Sequence, residues 1–192
     1  MNDSPLETVL KDASNALADG GVPFALIGGV AAILHGNTRA TRDVDLSVAV
    51  EAGAVPSVLR VLEQAGFLDV QLVGSVIQAV HANRYRLDLL LADSDFERHV
   101  IEGAAERELP GGHRVPLARL EDVVAFKLLA GRPRDLRDIE ELFERHRSPD
   151  RERLCAMLAL LGVPTTVAEW SVAISSDDVR PFLRRLAAAI RS

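Results

Sequence analysis

The chain has a single cysteine, Cys155, among its 192 residues, so an intramolecular disulfide is excluded. It also has no long apolar run. The longest stretches, residues 22–34 and 154–163, fall short of the roughly 20 residues that cross a bilayer. No transmembrane helix and no membrane partner are expected. The first residues, Met-Asn-Asp-Ser-Pro-Leu-Glu, hold neither the basic region nor the apolar segment of a secretory signal, and a cytoplasmic location is the expectation. Excess positive charge is missing as well. A formal net charge of −6 supplies no basic field for sequence-independent attraction to nucleic acid. Repeats, low-complexity tracts and proline-rich linkers are absent. What is abundant is apolar content, 48%, which argues against disorder and suffices for one sizeable core or a core plus a helical appendage.

The most informative segment runs from Gly28 to Leu46. Residues 22–27 read as a short buried strand, and Gly28-Gly29 end it where a helix to Leu34 begins. Backbone amides there are unobstructed by a Cβ and sit at the positive end of a helix, an arrangement suited to phosphate. A loop with Arg39, Thr41 and Arg42 follows. Then comes a strand, residues 43–50, in which Val44, Leu46, Val48 and Val50 share one face and Asp43, Asp45 and Ser47 the other. The two carboxylates point the same way with Cα atoms roughly 6.5–7 Å apart, close enough to converge on divalent cations about 3.5–4 Å apart, as two-metal displacement requires. Mg²⁺ is the best match, since it prefers hard oxygens and leaves places for water and substrate phosphates. Arg42 is open to two readings, contact with phosphate or steadying of Asp43.

Residues 84–92 alternate as another strand, with Tyr85, Leu87, Leu89 and Leu91 on one face and Arg84, Arg86, Asp88 and Leu90 on the other. Asp88 amid so much leucine needs a cation, because an uncompensated buried charge is penalised by several kcal/mol. That cation is an arginine, such as Arg84 or Arg86 on the same face, a lysine or a metal.

The remaining pattern gives a first helix over 4–17, capped by Ser4 with Pro5 and Glu7 and stopped by Gly20-Gly21. A helix over 55–65, strands over 68–73 and 76–82, a helix over 95–101 and a hairpin turn at Gly111-Gly112 follow. From Leu120 the chain turns helical. On the helix 120–130, Leu120, Val123, Val124 and Leu128 form the apolar stripe with Lys127 near its middle, and Glu121 and Asp122 off it. Lys127 therefore either snorkels or meets an anion, a triphosphate or the carboxylate site being the economical partner. Asp135 suits the N-cap of the next helix and Asp138 its first turn; a site role for Asp135 is the alternative. Arg132, Arg134 and Arg137, and further along Arg180, Arg184, Arg185 and Arg191, read either as solvated faces or as basic patches. His35 lacks metal-ligand spacing, Cys155 reads as core, and Trp170 reads as core with base stacking as the other option.

The order of glycine pair, spacer, then Asp43-Val-Asp45 resembles the core motif of the nucleotidyltransferase superfamily. Its Arg39-Ala-Thr41-Arg42-Asp43-Val-Asp45 version looks most like the minimal bacterial nucleotidyltransferases, including the AbiEii-type and MenT-type toxins of toxin–antitoxin systems. The resemblance implies an α/β (α+β) fold: a mixed β-sheet core flanked by helices over residues 1–118, and a helical C-terminal part over 119–192. It implies Asp43, Asp45 and Asp88 as metal ligands and Lys127 as a further catalytic residue. Gly28, Gly29, Arg39, Thr41, Arg42 and Asp135 would bind the nucleotide. The implied activity is Mg²⁺-dependent transfer of a nucleoside monophosphate from an NTP such as ATP to an acceptor hydroxyl of tRNA, another RNA or a protein, with an antitoxin protein as partner if the chain is a toxin. An aminoglycoside-type small-molecule transferase and a non-catalytic nucleotide-binding module are the competing readings.

Overall fold

A computed structural model describes residues 4–146, 149–176 and 178–191. The chain runs α1 (Pro5–Asp19), β1 (Phe24–Ile27), α2 (Gly28–Leu34), β2 (Asp43–Val48), a 3-10 turn (Ala52–Ala54), α3 (Val55–Gln64), β3 (Leu68–Val73), β4 (Val76–Val80), β5 (Arg86–Leu91), α4 (Asp95–Gly103), β6 (Ala105–Glu108) and β7 (Arg114–Leu117). Five helices follow: α5 (Leu120–Ala130), α6 (Pro133–Arg145), α7 (Arg151–Leu160), α8 (Val167–Ile174) and α9 (Arg180–Ile190). The chain packs as two compact units, Met1–Val30 with Ala40–Ala118, and Ala31–Arg39 with Arg119–Ser192. The sequence pattern changes after residue 118, but by packing the segment 31–39 groups with the helices.

The first unit is a seven-stranded mixed sheet of order β3-β4-β5-β2-β1-β7-β6 with helices, as the alternating early pattern predicts. The β2–β5 and β1–β7 pairs are parallel and the others antiparallel. Strand alternation fixes its faces. Val44, Leu46 and Val48 of β2, Leu87 and Leu89 of β5 and Ile77 of β4 are all fully buried, and α1, α3 and α4 pack on this unit. The first helix starts as read. Ser4 accepts the Glu7 amide at 3.2 Å and the Glu7 carboxylate accepts the Ser4 amide at 2.8 Å, satisfying two otherwise unpaired donors.

The second unit is built around α5, against which α6, α7 and α9 pack. The expected stripe of Leu120, Val123, Val124 and Leu128 is buried, but the burial extends beyond it. With three helices around α5 no side of it stays wet, and Glu121 and Asp122 are inside, Asp122 with no exposure at all. Each is satisfied. Glu121 accepts the Asp150 amide at 2.7 Å, and Asp122 takes both Nε and Nη2 of Arg153 at 2.9 and 2.8 Å. Trp170 is fully buried, its indole N–H donating to Thr165 Oγ1 at 3.1 Å and its ring edge-on to Phe143 and Phe182. Core packing accounts for it. Cys155 is half-exposed rather than core, although Leu154, Met157 and Leu158 beside it are buried. No helix among the described residues is long and apolar enough to cross a membrane.

Arg153→Met leaves Asp122 as a buried carboxylate with no counter-ion, its remaining donor being the Arg119 amide at 3.2 Å. Denaturant unfolding should show a loss on the order of 3 kcal/mol, part of which the double variant Asp122→Asn/Arg153→Met regains; a loss below about 0.5 kcal/mol would place the pair among the weak surface type.

Candidate active site

The site in the first unit starts from strand register. β2 and β5 pair in parallel with Asp45 opposite Asp88 and Asp43 opposite Arg86. Residues directly opposite on neighbouring strands share a face, so Asp43, Asp45 and Asp88 emerge from one side of the sheet while their leucine and valine neighbours fill the other. Ser47 lies on the same face. Its hydroxyl and Asp88 Oδ1 are buried and have no hydrogen-bond partner among the described residues. Two orphaned oxygens on adjoining strands are exceptional, since buried polar atoms are ordinarily paired.

Asp88 makes no ion pair with Arg84 or Arg86. Burial pushes its carboxyl above the ordinary carboxylate range, the Arg86 charge opposes that shift, and the neighbouring Asp43 reinforces it. The side chain is held partly out of water next to other acids, and among the described residues it has no cation at hydrogen-bonding distance. Asp43 makes no side-chain hydrogen bond or ion pair among the described residues either. Its amide donates to Thr41 Oγ1 at 3.3 Å, which ties down the loop before the strand.

Antiparallel pairing sets Ile27 opposite Asp45, so the glycine pair lies beside the second carboxylate. Gly28 has φ +68°, a left-handed conformation that favours glycine, and a Cβ there would overlap the Asp45 carboxylate. A Cβ on Gly29 would lie 3.0 Å from Thr41 Oγ1. The Gly29 amide donates to Asp45 Oδ2 at 3.3 Å. This refines the sequence expectation. The glycines are needed first to seat Asp45, and the Gly29 amide faces that carboxylate rather than open space. Arg42 is exposed and does not pair with Asp43; its carbonyl accepts the Arg86 amide at 3.3 Å.

Three carboxylates on one face, with one oxygen orphaned and a cradle cleared by Gly28, match the hard-oxygen donors that Mg²⁺ takes. Among the described residues no three His, Cys, Asp or Glu side chains form a group that could hold a metal by themselves. An ion that keeps water and substrate phosphates as ligands needs fewer protein oxygens than a closed cage.

Within the second unit, Lys127 is 5% exposed and its anion is Asp138, with Nζ at 2.6 Å from Oδ2. The expected substrate partner is not required to explain its burial. Asp138 also takes Arg39 Nε at 3.2 Å and Nη2 at 3.3 Å. Burial raises the Asp138 carboxyl, but the hydrogen bonds and charges of Lys127 and Arg39 outweigh it and hold the group below the usual range. Asp138 is thus the hub that the sequence reading treated as a helix-start acid. Asp135 is not the N-cap. Pro133 begins α6, so Asp135 falls in its first turn, where it accepts the Arg132 amide at 3.3 Å and stands 3.9 Å from Lys127. The segment carrying Arg39 is fastened to α6 by Asn37, whose amide donates to the Asp138 carbonyl at 3.2 Å, and by Thr38, whose hydroxyl donates to Glu141 at 2.7 Å. His35 contributes its carbonyl to His146 at 2.6 Å.

Asp88→Asn tests the electrostatics. A carboxyl raised in the folded state stabilises the fold most below the unfolded value of about 3.9, and that contribution is lost as pH rises through the folded value. The variant should therefore melt above wild type near neutral pH, and the two should converge below about pH 4. A lower melting temperature for the variant at neutral pH would mean that Asp88 is paired.

The sequence profile of a family described as nucleotidyltransferase of unknown function (DUF6036) matches residues 5–147. No curated protein matches the chain in sequence. Among solved structures, the chain resembles the solution structure of the antibiotic-resistance factor ANT(2'')-Ia at 16% identity and a TM-score of 0.55, over 86% of this chain and 92% of that one. It also resembles an antigenic nucleotidyltransferase-like protein from Paracoccidioides brasiliensis at 21% identity and a TM-score of 0.52, over 95% of this chain and 92% of that one. At these identities the likeness is one of fold. The profile, which spans most of the chain and includes the glycine pair and all three carboxylates, makes the chain a member of the nucleotidyltransferase family DUF6036.

Proposed function

We propose that the protein is a Mg²⁺-dependent nucleotidyltransferase that moves a nucleoside monophosphate from an NTP to an acceptor hydroxyl. The observation that supports this best is Asp88, whose buried oxygen has no donor among the described residues although it sits opposite Asp45 on the next strand. A structural carboxylate in that position would be paired, because leaving it unpaired is unfavourable.

Asp43, Asp45 and Asp88 would hold the metal. Bound there, Mg²⁺ supplies Lewis-acid polarisation of the phosphate and charge stabilisation of the leaving group. The chain's own residues do the rest. Gly28 clears the space in which the Asp45 carboxylate sits, and the Gly29 amide orients it. Asp88, opposite Asp45 on the neighbouring strand, takes the proton of the acceptor hydroxyl. The hydroxyl oxygen forms its bond to the α-phosphorus as the bond to pyrophosphate breaks. Lys127 enters only through the family resemblance, since Asp138 already accounts for its burial.

The acceptor that the toxin resemblance favours is RNA or protein. An aminoglycoside-type acceptor would use the same carboxylates, and a non-catalytic nucleotide-binding module would have no use for an unpaired Asp88.

The experiment is incubation of the purified protein with each α-labelled NTP, Mg²⁺ and either total cellular RNA, protein extract or aminoglycosides. Label should enter one acceptor class, and Asp43→Ala and Asp88→Ala should each lower the rate by at least about 10³-fold, the scale of losing a main electrostatic contribution. Wild-type inactivity with every NTP and acceptor would contradict the reading. Growth arrest on expression, relieved by Asp45→Ala, would add the toxin role.

A further inference from the structure

The row of paired residues that contains Asp45 and Asp88 does not stop at β5. Asp88 is opposite Gln78 on β4, and Gln78 is opposite Gln71 on β3. Cross-strand partners share a face, so two carboxamides continue the line of the two carboxylates to the edge of the sheet. Gln78 is half-buried and Gln71 exposed. Leu68 and Val73 flank Gln71, 57% and 51% exposed, an unusual setting for large apolar side chains. A groove of about 460 Å³ runs here, lined by Gln71, Gln78, Val80, Arg86 and Asp69 among others. Arg86 has no hydrogen-bonded carboxylate among the described residues, and its backbone joins that of Arg42, whose guanidinium is exposed as well.

We infer that this shelf is the acceptor subsite and that its occupant is a nucleotide, either free or at the end of a polynucleotide. The inference rests on the transferase reading above and deepens it. In-line displacement places the attacking hydroxyl opposite the leaving pyrophosphate. The glycine pair lies on the β1 side of the carboxylates, and Gln78 and Gln71 lie on the other side, beyond Asp88, the residue that receives the proton. The chemistry of the shelf agrees with that position. Carboxamides offer a donor and an acceptor in one plane and match the edge of a nucleobase. The aliphatic flanks accept its apolar face, and an unpaired guanidinium matches a phosphate. A polycationic acceptor would meet Arg86 here, with Asp69 the one acid lining the groove among the described residues.

The test uses Gln78→Leu, Gln71→Leu and Arg86→Met, none of which alters a metal-binding carboxylate. With a short fluorescein-labelled ribo-oligonucleotide ending in a free 3′-hydroxyl, anisotropy without NTP or Mg²⁺ should show binding by wild type and at least tenfold weakening in Gln78→Leu and Arg86→Met. AMP competing as well as the oligonucleotide identifies a free nucleotide as the occupant; competition only by the oligonucleotide identifies a chain end. In the transfer assay the acceptor KM should rise at least tenfold, with kcat and the NTP KM within twofold in Gln78→Leu and Gln71→Leu; Arg86→Met, whose charge also acts on Asp88, is read by binding alone. Circular dichroism melts confirm that each variant folds, and Gln71→Leu, at an exposed edge position, keeps the test open if Gln78→Leu does not. Wild-type protein that binds neither probe, or variants that bind both as wild type does, would overturn the subsite. Active transfer with unchanged acceptor KM would overturn it while leaving the transferase intact; no transfer in any variant or in wild type, with weakened binding in the variants, would count against the transferase alone.

Discussion

The parallel register of β2 on β5 is the constraint on which the site depends. Because Asp45 pairs with Asp88, two carboxylates stand side by side on one face of the sheet while Leu46 and Leu89, the next pair along, are buried on the other. A slip of one residue would exchange the faces and bury the acids among leucines. The hydrophobic side therefore enforces the polar one. The fold holds Asp88 where it is energetically unfavourable, with its carboxyl raised and one oxygen unpaired. Local sacrifice of stability of this kind concentrates at functional positions.

The buried acids named above are answered in different ways. In the helical unit every buried acid described above is answered. Asp122 has Arg153, Glu121 has the Asp150 amide, and Asp138 has both Lys127 and Arg39. Among the described residues Asp88 is left without a counter-ion, beside an Asp43 that also lacks one, whereas Glu140 Oε1 of α6, likewise buried with no hydrogen bond, stands 3.8 Å from Arg180 Nε. A cation introduced into the first arrangement would compete with existing partners, whereas in the second it completes one.

Much of this was legible in the sequence where local rules suffice. Alternation told the faces of β2 and β5, Ser4-x-x-Glu7 told the start of α1, and the glycine pair told the strand-to-helix turn. Features that depend on pairing across the chain were not legible. Nothing in residues 76–80 says that Gln78 will lie beside Asp88, because register is set by the tertiary sheet. Lys127 advertised a need for an anion, but its partner is on the next helix, brought there by the α5–α6 turn. Asp135 looked like a cap because it precedes an apolar run; Pro133, pre-organised for the first helical position, starts the helix earlier. Asp122 and Glu121 looked solvated because one helix wheel cannot show that three helices surround it.

The claim at the centre is that Asp43, Asp45 and Asp88 form a divalent-cation site on one face of the sheet. Titrating Mn²⁺ in place of Mg²⁺ while recording backbone amide resonances tests it most directly, since the paramagnetic ion broadens the signals nearest to it. Broadening centred on residues 28–29, 43–45 and 88, abolished in Asp88→Asn, is the predicted result; broadening centred elsewhere, or a pattern unchanged by that substitution, would contradict the account.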